Sequence, residues 1–206
     1  MVRVGALARG GAGAAEVVDP ARLPGVPWRN GGGTTRELRV GPTVDGSTWR
    51  VSVAEIVGPA TYSRFDGLQR WSAVVAGEGL DLEVDGEVRR VDRGPALTYS
   101  GEAVVRAVPV DGPVLNLNLM VDRAWGTGRM RRRIVDGAGR WDASVVALWV
   151  LAGEVRVDDA RAVAGQVVLP RRAGWFGAAA ATLVEVAVTA GAAGTAGQQE
   201  QQGPTT

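Results

Sequence analysis

Apolar and polar residues alternate with a period of two in several separate segments of this chain. The alternation is clearest over residues 49–54, 80–85, 115–119 and 154–158. Side chains of a β-strand point to opposite faces in turn, so this pattern predicts strands with one buried face and one polar face. No window longer than about ten residues carries a convincing 3.6-residue period, which a helix of ordinary length requires. The chain is therefore predicted to be all-β.

An internal repeat adds a second constraint. The tripeptide Ala-Gly-Glu occurs at residues 76–78 and again at residues 152–154. An alternating hairpin follows each copy, then a glycine turn at Gly94 or Gly165, and then a further β run. Two copies of one β unit predict two jelly-roll halves that pack together. This order of elements resembles the cupin fold, so the predicted fold class is an all-β bicupin.

The composition of the two ends sets the boundaries of the folded part. Glycine and alanine dominate the start, and the end is Ala/Gly/Thr-rich and then Gln-rich, with little to bury. We predict disordered tails over residues 1–15 and 191–206. Between them, the first cupin-like half spans residues 16–123, and a second, degenerate half spans residues 124–190.

The sequence contains no histidine and no cysteine, which excludes much chemistry. A disulfide scaffold, a thiol nucleophile, a Ser-His-Asp triad, an imidazole base and a Cys/His zinc site are all ruled out. Metal-binding cupins hold their metal mainly through histidines, so we predict no metal site and no cofactor. Only a site built from carboxylates, for Mg²⁺ or Ca²⁺, stays open.

Charge and hydropathy narrow the range of partners. The chain has 23 basic and 22 acidic residues, a net charge of +1, and this near-neutral balance argues against a nucleic-acid partner. We interpret the one basic run, residues 129–133, as a solvated strand edge. The longest apolar stretch, residues 175–184, is half the roughly 20 residues of a membrane span. With no secretory signal recognised at the start, we expect a cytoplasmic protein without a membrane partner.

The most unusual segment spans residues 27–38 and contains three consecutive glycines, Gly31, Gly32 and Gly33. Successive exposed N–H groups can form a concave nest for an anion. Arg29 and Arg36 bracket the glycines and offer planar forks suited to a carboxylate. Within the same segment Asn30 can donate and accept hydrogen bonds, and Glu37 could hold one of the arginines in place. The segment is therefore either a small-anion cradle or a flexible loop anchored by a buried Trp28.

Two further strands carry polar pairs on one face. Arg50 and Ser52 share a face opposite Trp49, and they either line a pocket or pair with a neighbouring strand. Asn116 and Asn118 also share a face, where they line a pocket or bond to loop backbone. Glu55 falls on the Trp49 face and is expected to anchor an arginine. Arg70 is expected to reach the pocket rim.

These segments together resemble the HutD/Ves family of cupin-like proteins. The motifs that carry the resemblance are residues 27–37 (PWRNGGGTTRE), 49–55 (WRVSVAE), 58–67 (GPATYSRFDG), Arg70, 77–79 (GEG) and 112–120 (GPVLNLNLM). The resemblance implies a bicupin associated with histidine utilisation. It also implies binding of a pathway intermediate such as N-formylglutamate or urocanate, which would limit or tune the pathway.

The function predicted first is therefore a non-catalytic protein that binds a small carboxylate. The predicted ligand-binding residues are Arg29, Asn30, Gly31, Gly32, Gly33, Thr35, Arg36, Glu37, Arg50, Ser52, Glu55, Arg70, Asn116 and Asn118. The alternative is a metal-independent isomerase or hydrolase that uses Glu37, Glu55 or Tyr62 as acid–base groups. A third hypothesis is an interaction module whose repeat creates the face of a homodimer.

Overall fold

The regular structure of the protein is almost entirely β, as the alternation predicts. The computed structural model describes residues 13–41 and 48–191. Within them, one 3₁₀ turn at Pro20–Arg22 is the only helical element. The strands are β1 (Ala15–Val18), β2 (Gly25–Pro27), β3 (Gly33–Val40), β4 (Trp49–Ile56), β5 (Ala60–Thr61), β6 (Leu68–Ala76), β7 (Leu80–Val84), β8 (Glu87–Val91), β9 (Ala96–Ser100), β10 (Val105–Pro109), β11 (Val114–Asp122), β12 (Gly126–Trp141), β13 (Val145–Val157), β14 (Ala160–Val163), β15 (Val167–Pro170) and β16 (Gly174–Ala190).

The strands form three antiparallel sheets. The first sheet has six strands in the order β2-β3-β4-β11-β6-β9. The second has the order β1-β15-β13-β16-β12, with β14 paired to β13. The third is a four-stranded sheet in the order β5-β10-β7-β8. No helix in the described part of the chain is long and apolar enough to cross a membrane.

The main hydrophobic core lies between the two six-stranded sheets. From the first sheet it takes alternate residues of β4, such as Trp49, Val51 and Val53, and from the second it takes residues such as Trp149 and Val184. Because strand side chains alternate, this packing turns Arg50 and Ser52 to the opposite face of the first sheet.

A separate apolar cluster covers part of that opposite face. Ala54, Ile56 and Val74 of the first sheet pack there against Leu82 and Val105 of the four-stranded sheet. The first sheet therefore packs against another sheet on each of its faces. On the second face, this apolar cluster closes one end of the space between the sheets.

The two six-stranded sheets share a detail of strand register. Ser72 of β6 pairs with Asn118 of β11, and Leu148 of β13 pairs with Glu185 of β16. Ser72 and Leu148 each lie four residues before the alanine of their Ala-Gly-Glu tripeptide. In both pairs the residue just before that alanine is bulged out of the ladder.

The glycine turns of the repeat also take matching positions. The Gly94 N–H donates to Val74 O, and the Gly165 N–H donates to Val150 O, each at 2.9 Å. Val74 and Val150 are equivalent in the repeat, since each lies two residues before the tripeptide.

The first described strand pairs with a strand of the second sheet. β1 pairs with β15, with Ala15 opposite Pro170, although the sequence assigns residues from 16 onward to the first half. Ala14 is buried and donates its N–H to Asp158 Oδ2 at 2.9 Å, so this part of the predicted N-terminal tail belongs to the fold. The rest of the predicted tails, residues 1–12 and 192–206, lies outside the described residues.

The basic run at residues 129–133 lies on β12, which forms an edge of the second sheet. Arg132 is exposed, as a solvated strand edge requires. Arg129, Arg131 and Arg133 instead direct their guanidiniums to Glu185, a carboxylate whose side chain is 2% exposed. The interpretation as a solvated edge is therefore incomplete.

Candidate functional site

A cavity of about 380 Å³ opens on the face of the first sheet that the main core does not use. Its lining residues are Pro27, Trp28, Arg29, Asn30, Thr35, Arg50, Ser52, Ala54, Thr61, Tyr62, Ser63, Phe65, Arg70, Asn118 and Met120. Seven of the fourteen predicted ligand-binding residues lie in this lining: Arg29, Asn30, Thr35, Arg50, Ser52, Arg70 and Asn118.

Strand pairing brings the polar residues of three strands together. Met120 of β11 is opposite both Arg50 of β4 and Arg70 of β6. In the next row Asn118 is opposite Ser52 and Ser72. Residues that are directly opposite in an antiparallel pair point to the same face, so these rows form the cavity floor, except for Ser72, which is fully buried and does not line the cavity.

Arg70 is the most informative residue of the floor. It is only 4% exposed, and its guanidinium carbon lies over three aromatic rings: Tyr62 at 5.3 Å, Phe65 at 5.4 Å and Tyr99 at 5.1 Å. Its Nη1 donates to Ser63 O at 3.1 Å, whereas its buried Nε has no partner. Within residues 13–41 and 48–191, no carboxylate lies within 4.0 Å of this guanidinium. A buried guanidinium without a counter-charge is costly, and an anion in the cavity would offset that cost.

Arg50 presents a second guanidinium to the same cavity. It is half-buried, and its Nη2 contacts Met120 Sδ at 3.7 Å. Burial lowers the pKa of Arg50, the nearby Arg70 lowers it further, and Glu37 acts in the opposite direction. No ion pair of Arg50 is present in the described part of the chain, so the two arginines raise the positive potential of the cavity together.

A hydrogen-bonded network lies beneath the floor. Asn118 Oδ1 accepts from Ser72 Oγ at 3.1 Å and from Asn116 Nδ2 at 3.0 Å, and Asn118 Nδ2 donates to Asn116 O at 3.0 Å. Ser72 Oγ also lies 2.9 Å from Tyr99 Oη. Asn116 is fully buried and does not line the cavity; it fixes the side chain of Asn118. Its own Oδ1 has no partner.

Tyr62 closes one side of the cavity. Its hydroxyl lies 3.5 Å from Asn116 Nδ2, and its ring packs edge-on against Trp28 at 5.8 Å. Burial raises the pKa of Tyr62 well above its ordinary value, and the negative field of Tyr99 acts in the same direction. Tyr62 is therefore a neutral hydroxyl at physiological pH.

The glycine segment forms the rim, but not as the predicted anion nest. The Gly31 N–H donates to Trp28 O at 3.1 Å, and the Gly32 N–H donates to Asn30 Oδ1 at 3.1 Å. These donors are therefore used inside the turn itself. A Cβ on Gly33 would lie 2.4 Å from Glu55 O, so this glycine is required for close packing. None of the three glycines lines the cavity.

The loop interpretation of the same segment is nearer to the structure. Trp28 is partly buried and anchors the rim through a hydrogen bond from Nε1 to Thr35 Oγ1 at 2.7 Å. Arg29 follows it at the cavity mouth and is exposed. A free guanidinium at the mouth can contact a ligand that enters.

Arg36, Glu37 and Glu55 do not reach the cavity, contrary to the prediction. Arg36 Nη1 pairs with Glu55 Oε2 at 3.3 Å. Arg36 is opposite Val53, a residue of the main core face, so this ion pair lies on the other face of the sheet from Arg50. Glu55 does anchor an arginine, as expected from its position. Glu37 is exposed and is not part of the lining, but it is opposite Ser52 on the cavity face of the sheet, and its charge acts on Arg50.

The sequence analysis missed most of the aromatic and small residues of the site. Ser72 and Tyr99 face the cavity side because they continue the rows of Asn118 and Arg70. The alternation of Arg70 and Ser72 with Trp71 and Ala73 was the signal that could have identified Ser72. Nothing in the local sequence places Tyr99 beneath Arg70, since that depends on the pairing of β6 with β9.

The chemistry available in the cavity is that of hydrogen-bond donors and positive charge. Its lining contains three arginines and no carboxylate. Among the described residues there is no group of three or more His, Cys, Asp or Glu side chains that could hold a metal ion. The arrangement suits recognition of an anion.

Known proteins provide independent information on this chain. The family model described as HutD matches residues 21–193. A Pseudomonas putida protein, described as an uncharacterized 21.2 kDa protein in the hutC 3′ region, is 36% identical over 141 residues, covering 65% of this chain and 72% of the relative.

Solved structures agree with the sequence comparison. The structure of HutD from Pseudomonas fluorescens SBW25 has a TM-score of 0.71 and 26% identity, covering 86% of this chain and 100% of that one. A cupin 2 conserved barrel domain protein from Leptotrichia buccalis has a TM-score of 0.57 and 14% identity, covering 85% and 97%. The second likeness concerns the fold alone, which is cupin-like.

Proposed function

This chain belongs to the HutD family, and from that premise we propose that it binds a small carboxylate metabolite without converting it. The ligand is an intermediate of histidine catabolism such as N-formylglutamate or urocanate, and binding tunes the flux through that pathway. A Pseudomonas putida relative described as lying in the hutC 3′ region supports the link to histidine utilisation.

The observation that carries the proposal is that the buried guanidinium of Arg70 has no carboxylate partner among the described residues. A buried arginine ordinarily has a carboxylate or several acceptors around it, because an uncompensated buried charge is strongly destabilising. Here one carbonyl and three ring faces surround it, and the open side is the cavity. A ligand carboxylate would supply the missing counter-charge through charge-assisted hydrogen bonds.

The second guanidinium indicates the charge of the ligand. Arg50 and Arg70 flank Met120 in one row, and Arg29 lies at the mouth. A ligand with two carboxylates could engage the floor with one and the mouth with the other. N-formylglutamate has this form, whereas urocanate has a single carboxylate and a flat ring suited to Trp28 and Tyr62.

The enzyme alternative lacks its acid–base groups at this site. Glu55 is paired with Arg36 on the far face, and Glu37 is exposed. Tyr62 is in the lining, but its raised pKa makes it a poor base at neutral pH. These placements favour binding over turnover.

We also propose that the chain is a bicupin, with a first half to about residue 123 and a second half from about residue 124. The matching register of β6–β11 and β13–β16, and the matching turns at Gly94 and Gly165, support this division.

Calorimetry of the purified protein tests the proposal directly. N-formyl-L-glutamate and urocanate are titrated separately, with the neutral diamide of glutaric acid as a control. We expect saturable binding of at least one acid, no binding of the diamide, and no product by NMR after prolonged incubation. Binding of neither acid, or steady conversion of either one, would contradict the proposal.

A further inference from the structure

A second cluster of arginines surrounds Glu185 of β16, outside the cavity described above. Arg129 Nη2 lies 3.2 Å from Glu185 Oε1, and Arg131 Nε lies 2.8 Å from the same oxygen. Arg133 Nη1 contacts Glu185 Oε2. The Glu185 side chain is 2% exposed, whereas those of Arg129 and Arg131 are 52% and 50% exposed. The carboxylate is thus enclosed, and its cations extend to the surface.

Strand register gives this cluster the same place in its sheet that the cavity floor has in the first sheet. Glu185 pairs with Leu148, as Asn118 pairs with Ser72. On its other side Glu185 pairs with Arg131, as Asn118 pairs with Ser52.

The equivalence extends to the neighbouring row. Arg129 pairs with Ala187, two residues beyond Glu185. Arg50 pairs with Met120, two residues beyond Asn118. Arg129 in the second sheet is therefore equivalent to Arg50 in the first. Each arginine is opposite the residue that lies two positions after Glu185 in β16 or after Asn118 in β11.

The two positions differ in some of their side chains, since Arg131 and Val145 stand where the first sheet has Ser52 and Arg70, and they differ in the source of the negative charge. In the first sheet the central strand provides the amide of Asn118, and no carboxylate of the described residues lies within 4.0 Å of either guanidinium. In the second sheet the central strand provides a carboxylate at the same position. We propose that Arg129, Arg131 and Arg133 form a second carboxylate-binding site, equivalent to the first, which the chain fills with its own Glu185.

The consequence for binding is a stoichiometry of one ligand per chain. The equivalence of the two sites rests on the proposed function, because it requires that a ligand carboxylate neutralises the arginines of the first cavity. The preference of Arg129, Arg131 and Arg133 for a carboxylate does not depend on the proposed function.

Chemical rescue tests the second site by itself. Glu185→Ala removes the carboxylate and leaves room for a small acid, whereas Glu185→Gln removes the charge and keeps the space filled. Both variants should melt roughly 5–15 °C below the wild type, because three arginines lose their counter-ion. Millimolar acetate should recover about half of that loss in Glu185→Ala, and acetamide should not, since only a carboxylate that binds the folded state stabilises it. Glu185→Gln and the wild type should not respond.

Failure of acetate to stabilise Glu185→Ala overturns the inference, and so does an equal response of Glu185→Gln or an equal effect of acetamide.

The reciprocal variant covers the case in which Glu185→Ala does not fold. Asn118→Glu places a carboxylate beside Arg50, as Glu185 lies beside Arg129, and should abolish binding of N-formyl-L-glutamate or urocanate in a protein whose near-ultraviolet circular dichroism spectrum shows it to be folded. Unchanged affinity would overturn the inference. A wild type that binds neither acid would contradict the proposed function alone, because the acetate experiment does not involve the first cavity.

Discussion

The guanidinium of Arg70 lies 5.3 Å from the ring centroid of Tyr62, and that ring also forms a wall of the cavity. A cation over an aromatic face is stabilised by about 2 kcal/mol or more when water is excluded, but the rings carry no net charge to set against that of the guanidinium. The rings enclose the guanidinium without neutralising its charge.

Arg50→Met should weaken carboxylate binding by roughly tenfold to a hundredfold, because one charge-assisted hydrogen bond contributes about 1.5–3 kcal/mol. The melting temperature should change little, since Arg50 has no ion pair among the described residues. Arg36→Met is the matched control: it removes an arginine from the adjacent strand on the opposite face. Calorimetry that finds equal losses in both variants would show that Arg50 acts only through the overall field.

Arg70→Lys keeps the positive charge but loses the planar guanidinium, whose carbon lies 5.1–5.4 Å from the centroids of three rings. We expect the affinity for the carboxylate ligand to fall by about tenfold, because an ammonium cannot donate two parallel hydrogen bonds. Titration calorimetry measures the change, with the near-ultraviolet circular dichroism spectrum as the control for folding. An affinity equal to that of the wild type would mean that charge alone is recognised.

The two tyrosines of the chain, Tyr62 and Tyr99, should not ionise while the protein is folded. Burial raises the pKa of both phenols above the ordinary value of 10.0. Above pH 10 the unfolded chain releases these protons and the folded chain retains them, so stability is lost as the pH rises through this range. Phenolate absorbance should therefore appear together with unfolding, in one cooperative step. A phenolate signal that precedes unfolding would contradict the enclosed placement of these rings.

Gly33→Ala should destabilise the fold by about 2–3 kcal/mol, or roughly 5–10 °C in melting temperature. The new Cβ would lie 2.4 Å from Glu55 O and 3.2 Å from Trp28 Cε3, so either β4 or the rim must move. Gly58→Ala is the control, because nothing lies within 4 Å of a Cβ there. Equal melting temperatures for the two variants would show that the rim tolerates a side chain.

The sequence analysis identified the floor of the site better than its walls. Period-two alternation placed Arg50 with Ser52 and Asn116 with Asn118 as two separate pairs. Their meeting in one floor depends on β4 and β11 being neighbours, which local patterns do not encode. The aromatic wall around Arg70 was missed for the same reason.

The error at Arg36 has a different origin. Consecutive strand residues point to opposite faces, so Arg36 and Glu37 cannot both face one pocket. Proximity along the chain to the glycines suggested a shared site, but the alternation of β3 separates them. Gly32 and Gly33 are explained by the close approach of Ala60, Glu55 and Trp28, and Gly31 by its positive φ of 70°, rather than by a ligand. Packing of this kind becomes visible only in three dimensions.

The pairing of β1 with β15 makes the order of synthesis matter. Residues 15–18 leave the ribosome about 150 residues before their partners at residues 167–170. Pairing over such a distance closes a large loop, which slows folding. A first half made alone would carry an unpaired strand at its start, exposed to other chains. Conversely, a cut between β11 and β12 would leave two pieces joined by the β1–β15 ladder and by the core between the sheets, so the halves should stay together after cleavage.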